Sequence, residues 1–116
     1  MEEALPESLS PMDGEAAKIR EGIQEALRGI IDPGTGLDVV RIGLVKNTRL
    51  EREGTGYKAI LTFRPSSPVC PMAFKLAWDM KLCTQGVDAV ETVEIKVEGY
   101  NRAAELEAIL REGEEQ

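Results

Sequence analysis

The apolar positions between residues 15 and 30 recur at the three- and four-residue spacing of an amphipathic helix. The sequence Asp32-Pro33-Gly34 ends this pattern, because proline disfavours helical geometry in the residue before it. We therefore predict a first helix of about four turns. An acidic segment with two prolines, residues 1–14, precedes it and is expected to be a flexible arm. The apolar residues of the helix are Ile19, Ile23, Ala26, Leu27 and Ile30.

Three segments further along the chain have the pattern of strands. Residues 44–51 predict a first strand, and the glycines of residues 53–56 predict a hairpin turn after it. From Tyr57 to Phe63 apolar and polar residues alternate, so one face of a second strand is expected to be buried. Residues 93–97 alternate in the same way and predict a third strand.

A second helix is predicted between Pro71 and about Thr84, because proline suits the first helical position and Gly86 follows the segment. One apolar face of this helix packs on the sheet. The other face forms a ridge, which needs a cover: a short last helix over residues 103–111, a subunit partner or a client protein. We expect the last helix to dock near the ridge, more often within the chain than across a dimer. The ridge consists of Phe74, Trp78 and Leu82, the candidate partner-binding residues.

The order of these elements predicts an α+β fold, a two-layer α/β sandwich. Its α-β-β-α-β core has a three-stranded mixed sheet, and an extra C-terminal helix follows. Both main helices are expected on one face of the sheet, with the third strand parallel to the second. The domain plan is a flexible arm over residues 1–14, an α/β domain over 15–100, and a C-terminal helix with an acidic tail over 101–116.

The charge distribution and the composition exclude several classes of function. The formal net charge is −7, but residues 1–15 carry −5 and residues 101–116 carry −3, so the middle is close to neutral at +1. That middle has no basic footprint for nucleic acid. The sequence contains no histidine, which excludes Ser–His and Cys–His hydrolases and His-containing metal sites. We find neither a run of apolar residues long enough for a membrane span nor a secretory signal, and so predict a cytoplasmic location with no membrane partner.

Cys70 is the residue that the pattern places for reactivity. It is expected at the N-terminus of the second helix, where unpaired N–H groups and the helix dipole favour an anionic thiolate. Ser66 and Ser67 are expected to donate hydrogen bonds to its sulfur. From position alone, a small buried cap residue is an equally good interpretation. Cys83 shares a face with core residues and is predicted to be a buried thiol, about 20 Å from Cys70 along an intact helix and too far for a disulfide.

Asp32 and Asp38 flank a glycine loop. The pattern favours turn roles for both residues. The loop matches no nucleotide-binding fingerprint, since those need a strand before the glycines and a helix after them.

Two stretches resemble a known family. Asp32-Pro33, followed by the segments 36–40 and 42–45, resembles the first signature of the MIP18-like family, a former domain of unknown function. The segment Ser66-Ser67-Pro68-Val69-Cys70-Pro71 is similar to the family's second motif. The resemblance covers about residues 15–98. Gly34 stands where the family has an acid, and the tail of many members is replaced by a helix.

The resemblance implies a small two-layer α/β domain and a non-enzymatic role in iron–sulfur cluster assembly, as an accessory of the SUF machinery or as a targeting factor. Asp32, Ser66 and Cys70 match the family's polar cluster. Cys70 then handles iron, a cluster or a persulfide transiently, with no cofactor bound stably. The implied partners are assembly proteins, a P-loop carrier ATPase and apo client proteins, and a homodimer is left open.

An interaction adaptor with a structural Cys70 is the alternative. A thiol enzyme is a weak third hypothesis, since neither a histidine base nor a nearby second cysteine is present.

Overall fold

A three-stranded sheet backed by helices forms the fold in a computed structural model, which describes the backbone of residues 11–114 and the side chains of residues 14–112. The chain begins with helix α1 (Pro11–Leu27) and a small ladder of strands β1 (Ile31–Asp32) and β2 (Leu37–Asp38). Strands β3 (Val45–Glu53) and β4 (Gly56–Phe63) follow. Helix α2 (Ala73–Gln85), strand β5 (Val90–Val97) and helix α3 (Ala103–Glu114) complete the order.

The main sheet has the strand order β3-β4-β5 and is mixed. β3 and β4 pair antiparallel as a hairpin, with Glu53 opposite Gly56 across a two-residue turn. α2 carries the chain back, so β5 pairs parallel to β4, with Ile95 opposite Leu61. This arrangement confirms the predicted hairpin, the predicted parallel return and the predicted α+β fold class.

One face of the sheet supplies the core. The inward residues of β4 and β5 are buried in the same hydrophobic cluster as the apolar stripes of α1 and α2, so both helices cover this face. The opposite face is largely polar around the buried Ile60, and Lys58 pairs there with Glu94 at 3.0 Å. The inward strand residues are Tyr57, Ala59, Leu61, Phe63, Val93, Ile95 and Val97. They face Ile19, Ile23 and Leu27 of α1 and Leu76, Ala77 and Met80 of α2.

The N-terminal helix and the glycine loop differ from the prediction. α1 begins at Pro11 rather than Glu15, so residues 11–14 belong to the helix. The rest of the predicted flexible arm, residues 1–10, lies outside the described residues. The ladder of β1 and β2, in which Asp32 lies opposite Leu37, was not predicted. Two-residue strands are too short to show any alternation of apolar and polar residues.

The last helix docks on its own chain. Leu106 and Leu110 of α3 are buried in the core cluster. The Lys81 ammonium donates a hydrogen bond to the backbone oxygen of Leu110, and the Glu107 carboxylate accepts one from the Val97 N–H at 2.7 Å. α3 therefore lies beside β5 and α2, as predicted for the within-chain alternative. None of the described helices is long and apolar enough to cross a membrane.

Candidate functional site

The loop between β4 and α2, residues 64–72, is held by backbone hydrogen bonds at both ends. At its start the Arg64 N–H donates to the Leu44 oxygen at 2.8 Å. Further along, the Pro68 oxygen accepts from the Asn101 N–H at 2.8 Å. Prolines at three of its positions also restrict the backbone. The loop is thus attached both to the segment before β3 and to the segment after β5.

Ser67 shapes the turn that leads to Cys70. The Ser67 hydroxyl accepts a hydrogen bond from the Val69 N–H at 3.2 Å, and the Ser67 backbone oxygen accepts one from the Cys70 N–H at 3.2 Å. Ser66 is exposed. Within the described residues neither serine hydroxyl is hydrogen-bonded to the Cys70 sulfur, which corrects that prediction. The polar side chain of Ser67 is used by the backbone turn instead, as is common for serine in loops.

Cys70 is only 6% exposed and belongs to the core cluster. α2 begins at Ala73 with Met72 as its N-cap, so Cys70 lies before the helix and not in its first turn. The Cys70 backbone oxygen accepts from the Ala73 N–H at 3.4 Å, which connects the turn to the helix. The thiol therefore lies close to the start of α2 but beneath the surface.

A groove of about 320 Å³ runs over Cys70. One wall is the loop itself, and the other wall comes from residues that follow β5. Sequence reasoning missed this second wall, because its residues come 30 positions after Cys70 and show no pattern of their own. The lining residues are Pro68, Val69, Cys70, Pro71, Phe74, Tyr100, Asn101 and Arg102.

The second wall is held by ring contacts. The rings of Phe74 and Tyr100 meet edge to face, with centroids 6.2 Å apart, and the Arg102 guanidinium lies 4.6 Å from the Phe74 centroid. Glu105 accepts two hydrogen bonds from Arg102, at 2.8 and 2.9 Å. These bonds raise the pKa of Arg102 and lower the pKa of Glu105, so both stay charged near neutral pH. The groove over Cys70 is therefore aromatic, with a paired charge at its rim.

Cys83 is the more exposed of the two cysteines. It is half-buried against the core, and burial together with the nearby Asp79 carboxylate raises the pKa of its thiol. The prediction of a buried Cys83 is thus wrong, because this thiol is only half-buried and is more exposed than that of Cys70. Both thiols are free, as the predicted absence of a disulfide requires.

Asp32 is buried, and its carboxylate is used locally. It accepts hydrogen bonds from the Thr35 N–H at 3.2 Å and the Thr35 hydroxyl at 3.1 Å. The Gly36 N–H donates to the Asp32 backbone oxygen at 2.7 Å. These bonds give Asp32 the turn role that its pattern favoured.

The polar cluster implied by the resemblance is not joined by direct bonds. In the described part of the chain, no hydrogen bond links Asp32 to Ser66 or Cys70. The same residues contain no group of three or more Cys, Asp or Glu side chains arranged to hold a metal ion.

The predicted ridge on α2 is covered at one end only. Phe74 packs against Tyr100, while Trp78 is 37% exposed and Leu82 is 50% exposed. The Lys81 ammonium lies 5.4 Å from the centroid of the Trp78 ring. Docking of α3 thus leaves two large apolar side chains of the ridge on the surface.

Residues 20–98 match the family described as iron–sulfur cluster assembly protein. The match spans both segments of the earlier resemblance and more than half of the chain. This chain belongs to that family. Residues 1–19 and 99–116 lie outside the match, and the second of these segments includes the second wall of the groove as well as α3.

Two relatives illustrate the family. The chain is 28% identical over 96 residues to the uncharacterized protein MJ1129 of Methanocaldococcus jannaschii, covering 82% of this chain and 97% of that protein. It is 27% identical over 79 residues to the Fe-S protein maturation auxiliary factor YitW of Bacillus subtilis, covering 68% and 74% of the two chains.

Solved structures agree with the fold. A domain of unknown function, DUF59, from Bacillus anthracis superposes with a TM-score of 0.61 at 29% identity, over 70% of this chain and 74% of that one. Rv1466 from Mycobacterium tuberculosis, titled a protein associated with [Fe-S] complex assembly and repair, has a TM-score of 0.50 at 24% identity, over 78% and 73%. The mixed three-stranded sheet with helices on one face is thus the fold of solved relatives.

Proposed function

We propose that this protein is a non-enzymatic accessory or targeting factor of iron–sulfur cluster assembly, and that the Cys70 thiolate handles its cargo. The family assignment supports the process, and the related YitW carries the name of a maturation auxiliary factor. The observation that carries the proposal is the position of Cys70, at the base of a groove whose two walls are held by backbone bonds and ring contacts.

Two reactions suit a single thiolate in such a groove. In the first, the sulfur of Cys70 replaces another ligand of an iron atom, which exchanges one coordinate bond for another without oxidation. In the second, it attacks the outer sulfur of a donor persulfide. That step forms a new S–S bond at Cys70, breaks the old one and releases the donor as a thiolate, so electrons balance. Passing the cargo on restores Cys70.

A single thiol favours transient binding, because stable clusters are generally held by several cysteines. The remaining ligands then come from the partner that delivers or accepts the cargo. The groove is open to such a partner on the side of Val69, which is strongly exposed. Assembly proteins, a P-loop carrier ATPase and apo client proteins are the proposed partners, and a second copy of the chain is a further one.

Anaerobic reconstitution with ferrous iron and sulfide tests the proposal. With a persulfide-carrying donor or an iron-loaded scaffold present, charge-transfer absorbance and cysteine mass adducts should form on the native protein and on Cys83→Ser. They should be lost in Cys70→Ser. Equal adducts on Cys70→Ser and the native protein would contradict the role of Cys70.

An interaction adaptor is the second candidate function, and the exposed part of the α2 ridge favours it. Exposed large apolar side chains that lie together usually mark an interface. Under this hypothesis Trp78→Ala and Leu82→Ala weaken client binding, whereas Cys70→Ser leaves both binding and client maturation intact. Under the leading proposal Cys70→Ser abolishes maturation even where binding persists.

A further inference from the structure

A second depression of about 410 Å³ adjoins the groove over Cys70. Pro68, Tyr100 and Asn101 line both the depression and the groove, so these residues form the boundary between them. Among the described residues, no aspartate or glutamate lines this second pocket. Its lining consists of Arg64, Pro65, Ser66, Ser67, Pro68, Gly99, Tyr100 and Asn101.

Arg64 brings a positive charge to this pocket that the described residues leave unpaired. Its guanidinium makes no hydrogen bond or ion pair within the described part of the chain, including none with Glu98, whose backbone N–H donates to the oxygen of the neighbouring Phe63. The contrast is Arg102 at the rim of the groove, which Glu105 neutralises through two hydrogen bonds. The Ser66 hydroxyl and the Asn101 side-chain amide likewise have no hydrogen-bond partner among the described residues.

Gly99 fixes how closely Arg64 lies against the backbone. Its φ is +62°, a region that residues with a Cβ rarely adopt, and a Cβ there would lie 3.2 Å from the Arg64 Nε. Glycine therefore leaves room for the Arg64 side chain beside the segment that follows β5. The guanidinium is thereby placed on one side of the pocket, with the Ser66 hydroxyl and the Asn101 amide also in its lining.

We propose that this pocket binds a carboxylate. A guanidinium offers parallel N–H donors that match the two oxygens of a carboxylate, and such pairs are among the stronger hydrogen-bonded contacts in proteins. The hydroxyl of Ser66 and the amide of Asn101 supply further donors, and the pocket holds no competing acid in its described lining. The carboxylate belongs either to an acidic side chain of a partner protein or to a small free acid. The binding site does not depend on any reaction of Cys70.

The experiment is an NMR titration of the full-length, isotope-labelled protein at constant ionic strength. The probes are sodium acetate, inorganic phosphate, and an end-capped Gly-Glu-Glu-Gly peptide, with sodium chloride as the reference. We expect acetate, the peptide or both to produce saturable shifts confined to the amides of Ser66, Ser67, Gly99 and Asn101. Tighter binding of the peptide assigns the carboxylate to a partner protein, and equal binding assigns it to a small acid.

Matched arginine variants complete the test. Arg64→Gln should weaken carboxylate binding at least fivefold and Ser66→Ala should weaken it less. Arg41→Gln removes the same charge from another exposed arginine, outside the pocket, and should leave the affinity unchanged. Shifts that rise linearly with every salt, saturation by phosphate alone, or an equal loss in Arg41→Gln would overturn the proposal. Because Cys70 is native throughout, failure here leaves the proposed thiolate function standing.

Discussion

The docking of α3 makes a quantitative prediction about Leu106. This side chain is 1% exposed and packs in the core cluster, whereas Ile109, on the same helix, is 40% exposed. Leu106→Ala removes three carbons, and at about 0.8 kcal/mol for each the lost transfer free energy is about 2.4 kcal/mol. The cavity left behind adds to this, so the free energy of unfolding should fall by about 2.5–5 kcal/mol. That is a large share of the roughly 5–15 kcal/mol typical of a domain.

The assay is equilibrium urea unfolding followed by circular dichroism, with Ile109→Ala as the matched control. Ile109→Ala should cost about 1 kcal/mol or less, because the side chain lies at the surface, 40% exposed, and its truncation leaves no closed cavity. If the free energy of unfolding of Leu106→Ala falls by clearly less than about 2.5 kcal/mol, or falls equally in the two variants, α3 is not part of the cooperatively folded core.

Four further variants test backbone conformation and charge. Gly99→Ala should destabilise the folded protein by roughly 1–2 kcal/mol in thermal unfolding, because the backbone at this position is left-handed. Gly14 lies inside α1 with open space around it, so Gly14→Ala should stabilise the folded protein by about 0.5–1 kcal/mol in the same assay. Folding raises the pKa of the Cys83 thiol, so the stabilisation that the protonated thiol provides is complete below the unfolded pKa and is lost as pH rises. In Cys83→Ala the free energy of unfolding, measured with urea, should therefore fall less steeply at alkaline pH than in the native protein. The hydrogen bond from Lys58 lowers the pKa of the Glu94 carboxyl, so the stabilisation that the ionised carboxylate provides is present above the unfolded pKa and is lost as pH falls. In Lys58→Met an NMR titration should show a higher Glu94 pKa than in the native protein, and an unchanged Glu94 pKa would refute the pairing.

The elements with clear periodicity were predictable. The alternation in β4 and β5 and the helical spacing in α1 fixed which faces are buried, and the structure buries those faces. Leu106 and Leu110, one turn apart on a short helix, also led correctly to a docked α3, since so short a helix is marginal alone.

The surroundings of Cys70 were not predictable from the same patterns. The groove over Cys70 is lined by Tyr100 and Arg102, which are brought there because β5 returns parallel to β4 and delivers the following loop to the same end of the sheet. Cys83 is also more exposed than predicted, on a helix where Trp78 and Leu82 stay on the surface. Helical periodicity assigns a residue to a face, but it does not show how far a neighbouring element covers that face.

The α2 start and the role of Asp32 illustrate a related point. Pro71 indicated a helix beginning at that residue, with Cys70 at its N-terminus, yet the helix starts at Ala73, after a turn over residues 67–70 that Ser67 holds. Asp32 matched a polar cluster through the family resemblance, while its hydrogen bonds all go to its own loop. Local turn chemistry thus used polar groups that the motif alone would assign to the site.

We propose that the Cys70 thiolate passes cargo to iron–sulfur proteins. The test is complementation of a strain that lacks this protein, with the activity of an iron–sulfur enzyme measured in cell extracts. The amount of each variant in the cells and the circular dichroism spectrum of each purified variant show whether it is present and folded. Cys83→Ser should restore the activity to the native level, whereas Cys70→Ser should leave it at the level of the empty strain. A folded Cys70→Ser that restores full activity would contradict the claim and favour the adaptor function of the exposed α2 ridge.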